Sequence, residues 1–313
     1  MDARERVRRA LAGEPVDRPP LCLWHHFRPE GSPAALATAT VAFFGELDLD
    51  LYKVMPDLPY PAPPIRPLTT AEAWRGLPAL GAGAGGPLAG MPEAVSLVRR
   101  QRPEAVIVAT VFSPLALALG WSGGAPGLLE AAGREPAAVR HGLGVVADNV
   151  AAQCAACLAA GADGIYFATS GLGDGLLTAE AYRALGREFD LRAMDGCAGG
   201  WCNILHLHAT SALQWTWVAD YPVQVFSWSD RRTGVPLRAL AEALPGRAVM
   251  GGIDESGAVV RGDLAGLAAE MEDAVRQTGG RRLILAGGCS VPDDVAPEHL
   301  RAARTLVAQP ASG

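Results

Sequence analysis

The chain is expected to fold as a (β/α)8 TIM-type barrel of the α/β class with a short N-terminal helix, and three observations carry that expectation. Eight short β-rich runs alternate with segments whose apolar residues recur at helical spacing. The length of 313 residues suits eight strands with helices outside them and is long for a sandwich or bundle. No Gly-x-Gly-x-x-Gly follows the first run, which argues against the main competitor, an open sheet binding a dinucleotide.

In chain order, an arginine-rich helix opens the protein over Met1 to Ala12. Strands are expected at Leu21 to His25, Leu49 to Met55, Ala105 to Phe112, Gly164 to Thr169, Trp201 to His208, Val223 to Trp228, Ala248 to Ile253 and Leu283 to Gly287. Amphipathic helices are expected at Glu135 to Ala160, Thr178 to Met194, Val235 to Leu244 and Leu264 to Thr278. The Pro-rich stretch Pro56 to Pro67 and the Gly/Ala-rich stretch Gly76 to Gly90 read as one long loop, residues 56–90, of a length that commonly covers an active site. No linker divides the chain, so residues 1–313 are expected to form one barrel domain.

Composition narrows the function. Half the residues are apolar, 19% are charged, and the net charge of −6 is spread without blocks, which excludes a nucleic-acid groove or an anionic membrane surface as the natural partner. A small-molecule substrate is the expectation. No stretch is expected to reach membrane-span length and no apolar run follows the N-terminal arginines, so the protein is read as cytoplasmic. The six cysteines sit in apolar helix or strand patterns, which fits reduced thiols.

In such a barrel, catalytic groups lie at the C-terminal ends of the strands. Four of the six histidines fall there, a clustering that packing does not explain. His206 and His208 stand at i and i+2, so they share a face of the fifth strand, and Cys289 follows the eighth. If those strands are neighbours in a closed sheet, the three make a zinc set of the catalytic kind with one position left open. A single strand histidine is more often a satisfied core group, so the pairing with Cys289 carries the metal reading.

Other strand ends supply candidates for catalysis or substrate binding. His25 and His26 are adjacent, face opposite ways and cannot both enter the mouth. Lys53 is the sole lysine among 27 basic residues, which suggests either a substrate anion contact or an ion pair with Asp50 or Asp57. Asp230 and Asp254 end the sixth and seventh strands, where a carboxylate can orient a histidine, serve as a fourth metal ligand, act as a general base or cap the following helix. Cys154-x-x-Cys157 sits mid-helix with no second pair and reads as core.

Several stretches carry a resemblance: Arg4-Glu5-Arg6-Val7 through Gly13-Glu14-Pro15-Val16-Asp17-Arg18-Pro19-Pro20, then Gly161-Ala162-Asp163-Gly164-Ile165, the His206 segment, Gly251-Gly252-Ile253-Asp254, and Leu285 through Cys289 and Pro292 to Pro297-Glu298. They resemble the uroporphyrinogen decarboxylase superfamily, which includes zinc-dependent methyltransferases acting on coenzyme M or corrinoid proteins. The resemblance implies a (β/α)8 barrel with its site at the C-terminal mouth. True decarboxylases carry an Arg-Gln-Ala-Gly-Arg loop after the first strand and a Gly-His pair near the end of the eighth. Here those places read Trp24-His25-His26-Phe27-Arg28 and Gly288-Cys289, and Arg28, Lys53, Arg75, Arg231 and Arg232 are a thin set of cations for an octacarboxylate.

The methyltransferase branch resembles this chain more closely at the site, with a His-x-Cys pair at strand five and a Cys at strand eight. His208 stands where that branch has cysteine, which makes the metal site one unit more positive. The resemblance implies a zinc-dependent methyl or alkyl transferase acting on a thiol, with a methyl donor or corrinoid protein as partner and a homodimer as the family-level assembly. Two alternatives stand beside it: a metal-free decarboxylase, in which Cys289 is dispensable, and a non-catalytic corrinoid or tetrapyrrole binder, which is insensitive to Lys53 and Asp254 substitution.

Overall fold

A computed structural model describes residues 1–28 and 31–308. Eight parallel strands are bonded in the order β1-β8-β7-β6-β5-β4-β3-β2, with helices outside them, so the α/β (β/α)8 barrel is the fold. The strands are β1 (Leu21–Cys22), β2 (Leu51–Val54), β3 (Val106–Phe112), β4 (Gly164–Thr169), β5 (Ile204–Leu207), β6 (Val225–Trp228), β7 (Ala248–Ile253) and β8 (Leu283–Gly287). Every strand residue except Phe112 is buried, as expected when helices cover the outer face and side chains fill the inner one.

The seam between β1 and β2 is closed by a carboxylate as well as by the backbone. Asp50 N donates to Leu21 O at 3.0 Å, and Leu21 N donates to Asp50 Oδ2 at 2.8 Å. Asp50 is only 2% exposed, and Arg6 and Arg18 reach its two oxygens at 2.7 and 2.6 Å. Arg6 comes from the N-terminal helix Ala3–Ala12, whose start is capped by the Asp2 carboxylate on Glu5 N and whose end is capped by left-handed Gly13. The first helix thus fastens the foot of the barrel.

Five expected strands are shorter than their alternation suggests, the third by one residue and the sixth by two, and the first, second and fifth by more. The first leaves the ladder after Cys22, because Trp24 O accepts from Val291 N in the segment after β8. The fifth begins only at Ile204, since Trp201 N and Cys202 N both turn to Asp163 O. The second spans only Leu51–Val54. The strands β4, β7 and β8 have the expected bounds.

Residues 56–90 are not one bare loop. Thr70 caps a short helix, Ala71–Arg75, through its hydroxyl on Ala73 N. Trp74 is fully buried, its indole donates to Leu68 O at 3.1 Å, and a Cβ added to Gly142 would lie 2.6 Å from its ring. Glycine at 142 therefore lets the long helix Pro136–Ala159 approach this segment closely. That helix also corrects the expectation that no stretch reaches membrane-span length: its 24 residues pass by length and hydropathy. Its apolar character reflects packing, since 56% of its most apolar window is buried.

The helix expected at Thr178 to Met194 is interrupted. Helical turns at Ala179–Tyr182 and Glu188–Met194 flank a π-helical stretch, Arg183–Arg187. Asp190, fully buried, lies beyond it and receives Tyr182 Oη at 3.1 Å and Thr169 Oγ1 at 3.2 Å.

Candidate metal centre at the barrel mouth

Register places the two imidazoles and closure of the sheet brings the thiol. β5 and β8 are not the neighbours that the sequence reading required, since β6 and β7 lie between them, and Cys289 reaches the histidines across the barrel mouth. His206 in β5 lies opposite Ala168 in β4 and Ser227 in β6. His208 sits one residue past β5, but its N–H still donates to Thr169 O at 3.0 Å, so the alternation persists and the two imidazoles lie 5.9 Å apart. Cys289 follows β8 by two residues. The ligand atoms of His206, His208 and Cys289 all lie within 4.8 Å of one another. Ligands on one tetrahedral zinc stand roughly 3.4–3.8 Å apart, so small side-chain movements would suffice for all three to share an ion.

The three grade from interior to solvent: His206 is buried, Cys289 half-buried and His208 exposed. His206 Nδ1 is 3.3 Å from Ser227 Oγ, which orients the ring and leaves Nε2 toward the mouth. Tyr166 stacks on His206 at 5.2 Å, and its hydroxyl is 3.2 Å from the same serine. Burial lowers the His206 pKa and outweighs the opposing effect of Cys289, which favours a neutral ligand. Burial raises the Cys289 thiol, but the hydrogen bond and charge of His206 outweigh it and the net shift is downward, toward thiolate.

Lys53 is 2% exposed and forms no ion pair among the described residues. Its expected partners are taken: Asp50 by the two arginines and Asp57 by His26. Its ammonium donates to Met55 Sδ at 3.1 Å and lies 4.3 Å from the Tyr166 ring centroid and 5.1 Å from that of Trp24. Burial pushes its pKa down to about 8.

The remaining candidates lie apart from the three ligands. His26 Nδ1 is 2.5 Å from Asp57 Oδ1, and Phe27 N donates to Asp57 Oδ2 at 2.8 Å, forming an acid–imidazole pair at the exposed rim. His25 packs edge-on against Phe27 and Phe43. Asp230 accepts from Gly252 N at 2.8 Å and so ties the end of β6 to β7, while burial pushes its pKa up to about 6. Asp254 is engaged locally, its Oδ1 accepting from Ser256 N and Ser256 Oγ, both at 3.0 Å.

The acid that turns inward at this strand end is Glu255, 5% exposed, whose Oε1 accepts from Ser229 Oγ at 2.7 Å. Arg232 is 4.0 Å away. A Cβ on Gly288 would lie 2.3 Å from Ser229 Cα and 2.9 Å from Glu255 Oε2, so only glycine lets the segment bearing Cys289 pass here. Sequence reasoning singles out its neighbour Asp254 instead. Among the cations, Arg231 is already committed to Asp273 and Gly252 O, and Arg28, 83% exposed, to Asp293. All six cysteines are free, and Cys154 and Cys157 are fully buried in the core.

The fold and site define a class: a (β/α)8 barrel whose C-terminal mouth gathers two imidazoles and a thiol that could hold a metal ion. The chain belongs to the uroporphyrinogen decarboxylase (URO-D) family, whose profile matches residues 49–309. Among solved structures it is similar to a methyltransferase from Methanosarcina mazei, at 17% identity and a TM-score of 0.75 over 98% of each chain. It is also similar to a Listeria monocytogenes protein described as a candidate vitamin-B12-independent methionine synthase, at 12% identity and a TM-score of 0.53, covering 88% of this chain and 86% of that one. No curated protein sequence matches the chain.

Proposed function

We propose that this protein is a zinc-dependent methyl or alkyl transferase whose acceptor is a thiol directed to His206, His208 and Cys289. The observation that carries the reading is the convergence of the three ligand atoms within 4.8 Å at the barrel mouth. Two imidazoles and a thiol shifted toward thiolate are a donor set that suits zinc. Zinc held there would supply a Lewis acid that lowers the pKa of a substrate thiol. The shared barrel of the M. mazei methyltransferase agrees with this reading.

The chain's own residues have distinct tasks. Ser227 fixes the His206 ring. Lys53, a buried cation without a carboxylate partner among the described residues, meets an anionic part of the substrate, and the rings of Trp24 and Tyr166 wall that position. His26, paired with Asp57 at the rim, is the imidazole placed to exchange a proton with solvent or substrate. Asp230 and Asp254 serve as positioning acids, since the backbone of β7 and Ser256 already engage them.

Elemental analysis of tag-free protein tests the reading. The expected result is about one zinc per chain, lost in both His208→Ala and Cys289→Ala. Absence of zinc from the wild type even after incubation with the metal would remove the thiol-transfer reading. The family's decarboxylation chemistry, in which Cys289 is dispensable, would then be the one to pursue.

A further inference from the structure

Beside the ligand set, the segment after β2 roofs a cavity of about 360 Å³ over the end of β3. Its floor includes Thr110, Val111 and Phe112, and Phe112 lies in register with Ala168, which in turn faces His206. The cavity is therefore two strands from the candidate metal centre. We propose that it is a binding site for an uncharged, largely apolar small molecule that carries a hydroxyl, ether or carbonyl group.

The lining dictates this chemistry. Leu58, Pro59, Leu88 and Met91 supply apolar walls, and among the described residues no lysine or arginine lines the space. The one charged residue of that lining is Asp57, whose two oxygens are already held by His26 and by Phe27 N–H. A buried carboxylate or phosphate would find no counter-charge in this lining, and an ammonium would compete with His26.

Three uncharged polar side chains of the lining lack partners among the described residues. Gln153, on the long helix Pro136–Ala159, is 6% exposed, and its amide makes no hydrogen bond to a described residue. It offers one acceptor and two donors. Tyr60 and Thr110 also belong to the lining, and their hydroxyls are two of the six buried side-chain polar atoms left without a partner among the described residues. Such atoms are rare in folded proteins, so their concentration around one apolar cavity points to a ligand that is mostly hydrocarbon with one or two polar groups.

Three methylbenzene probes of similar shape test the proposal by titration calorimetry: 4-methylphenol, toluene and 4-methylbenzoate. The neutral probes should bind saturably, and 4-methylbenzoate about tenfold more weakly or worse. Leu58→Trp, which fills the space from the loop side and leaves the barrel untouched, should lose both neutral probes. Gln153→Leu should weaken 4-methylphenol about five- to tenfold and leave toluene unchanged. Equal binding of the benzoate, wild-type affinity of Leu58→Trp for a neutral probe, wild-type affinity of Gln153→Leu for 4-methylphenol, or no saturable neutral binding would each overturn the assignment. The readout is binding alone, so it stands apart from the metal reading.

Discussion

Asp50 and Lys53 are three residues apart at β2, both are 2% exposed, and their surroundings are opposite. At the foot of the barrel, Asp50 has two guanidinium groups and a backbone N–H within 2.8 Å. At the mouth, Lys53 has a thioether and two aromatic faces. A buried charge with full compensation holds chain segments together, whereas one without it is costly and persists where a ligand completes it. One strand and the residue that leads into it thus carry a structural charge and, by our proposal, a functional one.

The largest expected effect breaks the compensated end. Asp50→Ala leaves Arg6 and Arg18 facing each other without their shared anion and removes the acceptor of Leu21 N. Chemical denaturation should show a loss of about 3–5 kcal/mol. A loss below about 1 kcal/mol would mean that water or other groups replace the carboxylate, and the contrast with Lys53 would fail.

The next prediction tests the uncompensated end through pH. Lys53 has a folded pKa of about 8, below its ordinary 10.5, so the unfolded chain binds the extra proton between these values. The cost of burying the cation is fully present below pH 8, and stability rises as pH climbs from about 8 to 10.5, by up to about 3 kcal/mol. Lys53→Met should remove that rise and stabilise the metal-free protein near neutrality. Denaturation curves of both proteins across this range provide the check, because other groups titrating there cancel in the difference. Identical slopes would show that Lys53 has a charge partner in solution.

How much of this is legible in the sequence follows from what each feature depends on. The barrel is legible because its strands are apolar on both faces and recur with helices between them. The grouping of His206, His208 and Cys289 is legible because alternation places the imidazoles on one face and the thiol at a strand end. The shortness of β1 and β5 is not, since it depends on where Trp24 O and Asp163 O find donors across the barrel. Nor are the neighbours of Lys53, because Trp24 and Tyr166 arrive from other parts of the sheet. The cavity beneath residues 56–61 and 87–91 is hidden for the same reason.

The smallest predicted effects concern the adjacent acids after β7, where sequence alone favours Asp254 and the fold turns Glu255 inward. Successive residues leaving a strand diverge, and the turn decides which one faces the mouth. Asp254 spends its carboxylate on Ser256, so Asp254→Ala should cost about 1 kcal/mol of stability, read by thermal melting, and leave zinc affinity unchanged. Glu255 packs against Gly287 and Gly288, and its negative charge opposes ionisation of the Cys289 thiol while favouring a cation nearby. Glu255→Gln keeps the acceptor for Ser229 but removes that charge, so zinc affinity measured by chelator competition should fall about tenfold. If Asp254→Ala weakened zinc and Glu255→Gln did not, the acid acting on the ligand set would be the one that sequence alone favours, and the turn after β7 would have to present Asp254 to the mouth when zinc binds.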